Sequence, residues 1–190
     1  MKKAICASLA LPIISTTAFG DEPGVYVSPF VGYGTDFEEV YYGAAVGYDM
    51  GNGWSVYAQY LGSSSEEAET EDGITLTLDT EFTAFSIGAS YSGALNDGFG
   101  YSIGGSLGIA SWDLDPHVEQ FGSSFKLAKF SDEALFFDLF ASLDYRLTEA
   151  ATVYLGVRYY GFDIEFDLDG QKAEETYDDF GIETGLRFKF

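Results

Sequence analysis

Phe180-Gly-Ile-Glu-Thr-Gly-Leu-Arg-Phe-Lys-Phe190 alternates apolar and polar side chains without a break. Phe180, Ile182, Leu186, Phe188 and Phe190 share one parity, while Glu183, Arg187 and Lys189 take the other. Successive side chains of a strand point to opposite faces, so this segment reads as an amphipathic strand. In water the apolar face covers a core; in a membrane barrel it meets lipid while the polar face lines the lumen.

The opposite end of the chain favours the membrane. Met1-Lys-Lys precedes an apolar run from Ala4 to about Ala10, and Thr16-Thr-Ala-Phe-Gly20 follows, with Ala18 and Gly20 flanking Phe19. These are the three parts of a cleaved secretory signal, so the reading is a removable leader over 1–20 and a single domain over 21–190. The apolar run is too short to span a bilayer, and no later stretch reaches the ~18 apolar residues of a spanning helix. Cys6, the one cysteine, leaves with the leader, which excludes a disulfide framework. Loss of Lys2 and Lys3 takes the net charge from -22 to -24.

Aromatic residues make up 17% of the chain and glycines number 23, a mix that suits closely packed strands. Alternating segments fall at about 24–34, 40–49, 54–62, 74–92, 99–112, 134–147, 151–165 and 177–190, near the ~9–11 residues that a tilted strand needs to cross the hydrocarbon. The connections 49–53, 92–98 and 148–151 are turn-like; 35–39, 63–73, 113–133 and 166–176 are mostly longer and acidic. The expected fold is all-β: an eight-stranded antiparallel up-and-down transmembrane β-barrel with short turns inside the envelope and long loops outside.

Parity then sorts the side chains. Tyr48, Trp54, Tyr91, Tyr101, Tyr145 and Phe190 all point to lipid beside the short turns, as an interfacial aromatic girdle does. The opposite parity collects Asp138, Asp144, Arg146, Arg158, Glu183, Arg187 and Lys189, together with Tyr26, Phe30, Tyr57, Gln59, Phe136, Phe140 and Tyr154. Buried charges persist when paired, and an eight-stranded barrel is just wide enough for side chains, so a plugged lumen is expected.

The leader, the eight segments and the terminal Leu186-Arg-Phe188-Lys-Phe190 resemble the small outer-membrane barrels of the OmpA/OmpX type, over essentially the whole mature chain. The resemblance implies an integral outer-membrane protein, and it implies that Leu186, Phe188 and Phe190 form the signal read by the barrel assembly machinery. A monomer without a cofactor is expected. The peptidoglycan-binding domain of full-length OmpA is not matched, so a cell-wall tether is not implied.

Of the 31 carboxylates, 23 fall in the outer strand ends and loops, three around 36–39, seven from Glu66 to Glu81, five from Asp113 to Glu133 and eight from Asp163 to Asp179, opposed there by Lys126, Lys129 and Lys172. Such a surface repels nucleic acid and other polyanions. Contact with outer-membrane lipid and lipopolysaccharide phosphates would need bridging divalent cations, and a surface partner of the loops would be cationic. Asp167 and Asp169 mimic the first half of an EF-hand loop, but Thr176 stands where the bidentate Glu belongs, so no metal site is expected and Asp169-Gly170 reads as a turn. The one histidine, His117, has Ser111, Asp115 and Glu119 near it in sequence, yet nothing fixes a nucleophile against it, and no enzyme is expected. The segment 121–130 reads as a hairpin extension with Gly122-Ser-Ser124 at its tip. The functional expectation is an envelope structural or adhesion-type surface protein. A narrow channel for small solutes is the alternative, and a lipid-modifying enzyme comes third.

Overall fold

The computed structural model describes residues 22–35, 38–71, 74–120, 123–126, 130–168 and 171–190. They form β1 (Gly24–Gly34), β2 (Val40–Asp49), β3 (Trp54–Glu71), β4 (Ile74–Ala94), β5 (Phe99–Gln120), β6 (Ser123–Lys126), β7 (Phe130–Arg146), β8 (Ala151–Leu168) and β9 (Gln171–Lys189). Neighbours pair antiparallel, β1 pairs with β9, and β4 with β5, so the sheet closes on itself. The four residues of β6 pair with the outer end of β5, leaving eight strands as staves of a closed antiparallel barrel.

Alternation in the sequence becomes alternation across the barrel wall. On β1, Tyr26, Ser28 and Phe30 are buried while Val25, Val31 and Tyr33 face out. On β7, Leu135, Phe137, Leu139, Ala141, Leu143 and Tyr145 make an unbroken outward row. Ten steps of about 3.3 Å at a tilt of about 40° raise that row through about 25 Å, the height of an outer-membrane apolar band.

The short turns are held by side-chain acceptors. Asp49 Oδ1 accepts the N–H of Gly51 at 2.9 Å, and Asn52 Oδ1 accepts that of Trp54 at 3.1 Å. Gly51 and Gly53 adopt φ of 75° and 88°, which a β-carbon would strain. Asn96 Oδ1 holds the next turn through the N–H groups of Gly98 and Phe99, at 3.1 and 3.0 Å.

The outer connections depart from expectation. β3 and β4 stay in register from Trp54↔Tyr91 to Glu71↔Ile74, so most of 63–73 is strand rather than loop. β5 likewise runs on to Gln120, and β8 and β9 pair out to Leu168↔Gln171. Ile74-Thr-Leu-Thr-Leu78 supplies the β-prone side chains that carry this pairing beyond the membrane, whatever the acidity of the partner strand. Ser123 pairs with Gln120 and Ser124 with Glu119, so both serines belong to β6 and not to a tip. The leader expected over 1–20 lies outside the described residues.

Candidate functional site

Arg158, from β8, is 3% exposed and sits at the middle of the lumen. Its Nε donates to Glu183 Oε2 at 2.7 Å and its Nη2 to Oε1 at 3.2 Å, a two-point grip on β9. Nη1 lies 3.1 Å from Asp138 Oδ2 on β7 and donates to Gln59 Oε1 on β3 at 3.2 Å. Gln59 Nε2 and Ser106 Oγ, the latter at 2.7 Å, donate to the same Asp138 oxygen. The guanidinium also lies 4.9 Å from the centre of the Phe30 ring and 5.4 Å from that of Phe140. Five strands are thereby tied across the lumen through one cation, with charge-assisted hydrogen bonds.

A second layer lies nearer the short turns. Arg187 Nη1 stands 3.5 Å from Asp144 Oδ2, which accepts Ser102 Oγ at 2.5 Å, while Asp144 Oδ1 accepts Ser142 Oγ at 2.7 Å. The rings of Tyr26 and Tyr154 flank the Arg187 guanidinium at 5.3 and 5.8 Å. Between the two layers is a cavity of about 30 Å³, enough for one water molecule. At the inner rim Lys189 Nζ pairs with Asp49 Oδ2 at 2.8 Å.

Above Arg158 the filling turns aromatic. Phe82 packs against Phe162, Phe136 and Tyr160 with ring centres 5.1, 6.2 and 6.4 Å apart, and Tyr41 meets Tyr160 edge-on at 5.8 Å. Tyr160 Oη donates to Asp179 Oδ2 at 3.0 Å.

Six of the seven charges expected inside take part in these pairs. Arg146 does not belong among the buried ones: it keeps the inward parity but ends β7, where the lumen opens, and it is exposed. It lines a vestibule of about 50 Å³ with Asp49, Glu149, Arg187 and Lys189. Asp179, assigned to the outer surface on sequence, is instead fully buried in the lumen. Its parity matches that of Glu183 and could have placed it. Tyr41, Tyr160, Asp49 and Ser102 were also missed, and the same alternation carries all of them.

Tyr48, Trp54, Tyr145 and Phe190 are exposed on the outer wall; the Trp54 and Tyr91 rings lie 5.4 Å apart, and those of Tyr91 and Tyr101 6.4 Å apart. A second row at the other edge of the apolar band, which sequence reading missed, includes Tyr33, Tyr42, Tyr60, Tyr159 and Phe180.

Beyond that row, β3, β4 and β5 rise as a free-standing outer sheet. On its outward face Glu66, Asp79 and Asp115 stand in register across three strands, with Glu81 and Asp113 paired just below. Like charges directly opposite repel. Lys126 reaches Asp115 at 3.4 Å, and His117 Nδ1 lies 3.6 Å from Asp79. Ser111 and His117 are six residues apart on one strand, about 20 Å, so they form no nucleophile–base pair. No group of three or more His, Cys, Asp or Glu able to hold a metal occurs among the described residues. Asp167 is in register with Lys172 in the β8–β9 hairpin, and Asp169 lies outside the described residues.

Residues 4–190 match the family model of the outer membrane protein beta-barrel domain. The chain belongs to this family. This outer-membrane barrel is similar in fold to Neisserial surface protein A, at 14% identity over 88% of this chain and 97% of that one, with a TM-score of 0.57. The N-terminal barrel of Pseudomonas aeruginosa OprF gives 16% identity, coverages of 90% and 99%, and a TM-score of 0.53. Ail, the attachment invasion locus protein of Yersinia pestis, gives 14%, 90% and 99%, and 0.51. No curated protein sequence matches this one.

Proposed function

We propose that this outer-membrane barrel is a non-enzymatic surface-interaction protein of the adhesion type, whose barrel anchors an acidic outer sheet. The observation that carries this reading is the contrast along the axis. The lumen is filled by the Arg158 and Arg187 layers and the aromatic layer, whereas β3, β4 and β5 extend well past the lipid-facing residues into a sheet with no role in closing the barrel. Material invested beyond the membrane rather than in a passage suits contact, not transport.

Ail, similar in fold, has been crystallised with the heparin analogue sucrose octasulfate. A polyanion of that kind is a poor fit here, because Glu66, Asp79, Glu81, Asp113 and Asp115 crowd one face of the outer sheet. A basic partner is the expected one. These carboxylates begin four residues beyond the lipid-facing Phe85 and Ile109, at headgroup height, so contact with lipopolysaccharide phosphates would run through divalent cations. The test pairs planar-bilayer conductance with attachment of cells displaying the protein to basic, acidic and neutral surfaces, with and without Mg²⁺. Attachment to basic surfaces without steady conductance is expected; large steady conductance with no attachment would sink the reading.

A further inference from the structure

The two faces of the outer sheet differ. Residues directly opposite in an antiparallel pair share a face, so the in-register pairs Leu78↔Pro116, Leu76↔Val118 and Val118↔Phe125 define a face of the opposite parity to the carboxylates. Ile74, Leu114 and Trp112 belong to the same parity. This face looks over the mouth of the barrel and runs down into the aromatic layer, since Trp112 packs against the cluster containing Phe82 and Phe162.

Ile74 is 40% exposed, Leu76 36% and Phe125 58%. Ile74 lies eleven residues, about 35 Å of strand, beyond the lipid-facing Phe85, so lipid does not cover this surface. Contiguous apolar side chains outside the membrane mark an interaction surface. Charge says what kind. Glu39, whose carboxylate accepts Ser63 Oγ at 3.2 Å, together with Asp132, which shares the Trp112 parity, and the buried Asp179 place three carboxylates at the foot of the apolar wall. Among the described residues Lys126 pairs with Asp115 on the other face, Lys172 stands at the outer end of β9 with the parity of the outward Phe180, and the remaining cations lie at or below Arg158.

We infer that the lumen-side face of the outer sheet docks a basic amphipathic polypeptide segment, its apolar side chains against Ile74, Leu76, Leu114 and Phe125 and its cations toward Glu39 and Asp132. The inference rests on the surface-interaction reading and names the partner's chemistry. Peptide affinity here comes from apolar burial, and the acids reject segments of the wrong charge by repulsion.

The test uses the full protein in zwitterionic nanodiscs, with empty discs subtracted, and three fluorescent peptides of equal length: alternating Leu-Lys, alternating Leu-Glu, and Gly-Lys. The Leu-Lys peptide should bind at least tenfold more tightly than Gly-Lys, and Leu-Glu should not bind. Leu76→Ser with Phe125→Ser should weaken Leu-Lys binding at least tenfold, whereas Asp79→Asn with Asp113→Asn, on the other face, should change it less than threefold. Heat-modifiable migration on gels checks folding, and Val118→Ser carries the same test if the double variant misfolds. Equal binding of Gly-Lys, full affinity in the apolar-face variants, or loss only in the Asp79 and Asp113 variant would overturn the inference. Cells that attach to basic surfaces while the peptide fails to bind would overturn it alone; failure of attachment together with open conductance would overturn the surface reading beneath it.

Discussion

Replacing Arg158 by Ala should be the most damaging single change in the lumen. The substitution leaves Glu183 and Asp138, 2% and 0% exposed, without the cation that contacts both, and it empties the space between the Phe30 and Phe140 rings. Removing one partner of a buried pair costs about 3–5 kcal/mol, and the lost cation–π contacts add about 1 kcal/mol. With a urea slope of about 2 kcal/mol/M, the midpoint should fall by about 2–3 M. Trp112, packed against the aromatic layer, reports unfolding in lipid vesicles by fluorescence. The informative comparison is Arg158→Met combined with Asp138→Asn and Glu183→Gln. All three charges vanish there, and stability should return to within about 1 kcal/mol of the parent, because a buried ion pair contributes little over well-packed neutral groups. If Arg158→Ala leaves the midpoint unmoved, or if the neutral triple variant is as weak as the single one, the argument from unpaired buried charge is wrong.

Gly32→Ala should destabilise the barrel by about 1–3 kcal/mol, since the added carbon overlaps the Tyr41 ring; Tyr41→Leu in the same chain should recover part of it in the same urea titration. Trp54 fluorescence should be quenched by lipids brominated near the headgroup and Trp112 fluorescence should not, measured in single-tryptophan variants; equal quenching would contradict the outward and inward parities of the two. Phe190→Ala should slow insertion by purified assembly machinery while leaving the equilibrium stability of the folded barrel nearly unchanged, because Phe190 is 81% exposed. A matching loss of stability would mean that this ring acts in packing rather than as an assembly signal.

Within the membrane the fold was legible because lipid imposes one chemistry on every second residue. Leu135 to Tyr145 on β7 and Phe180 to Phe188 on β9 announce their faces without help from any partner strand. Above the lipid that constraint ends. Ser63 to Glu71 is polar at nearly every position, so its alternation disappears although its pairing with β4 does not, and acidity was mistaken for loop. Asp179 was misplaced by judging it from its acidic neighbourhood instead of its parity with Glu183. Arg146 erred the other way: parity gives the side of the wall, but not the depth at which the lumen opens.

The order of charges along the axis bears on the channel alternative. An anion entering the mouth of the lumen meets Glu39, Asp132 and Asp179 before the Arg158 guanidinium. A small cation is drawn in by the same groups, but the tightly packed rings of Phe82, Phe136, Tyr160 and Phe162 stand below, and then the fixed guanidinium of Arg158. Selectivity in a pore needs favourable binding that can also be left, and here each sign of ion meets its own barrier in series. Displacing Arg158 from Glu183 and Asp138 would cost about 3–5 kcal/mol, which at tenfold per 1.4 kcal/mol leaves about one molecule in a thousand with the obstruction moved. Even that molecule would still have the aromatic layer in the way. A passage would therefore require two independent rearrangements, whereas the outer sheet presents its surface with none.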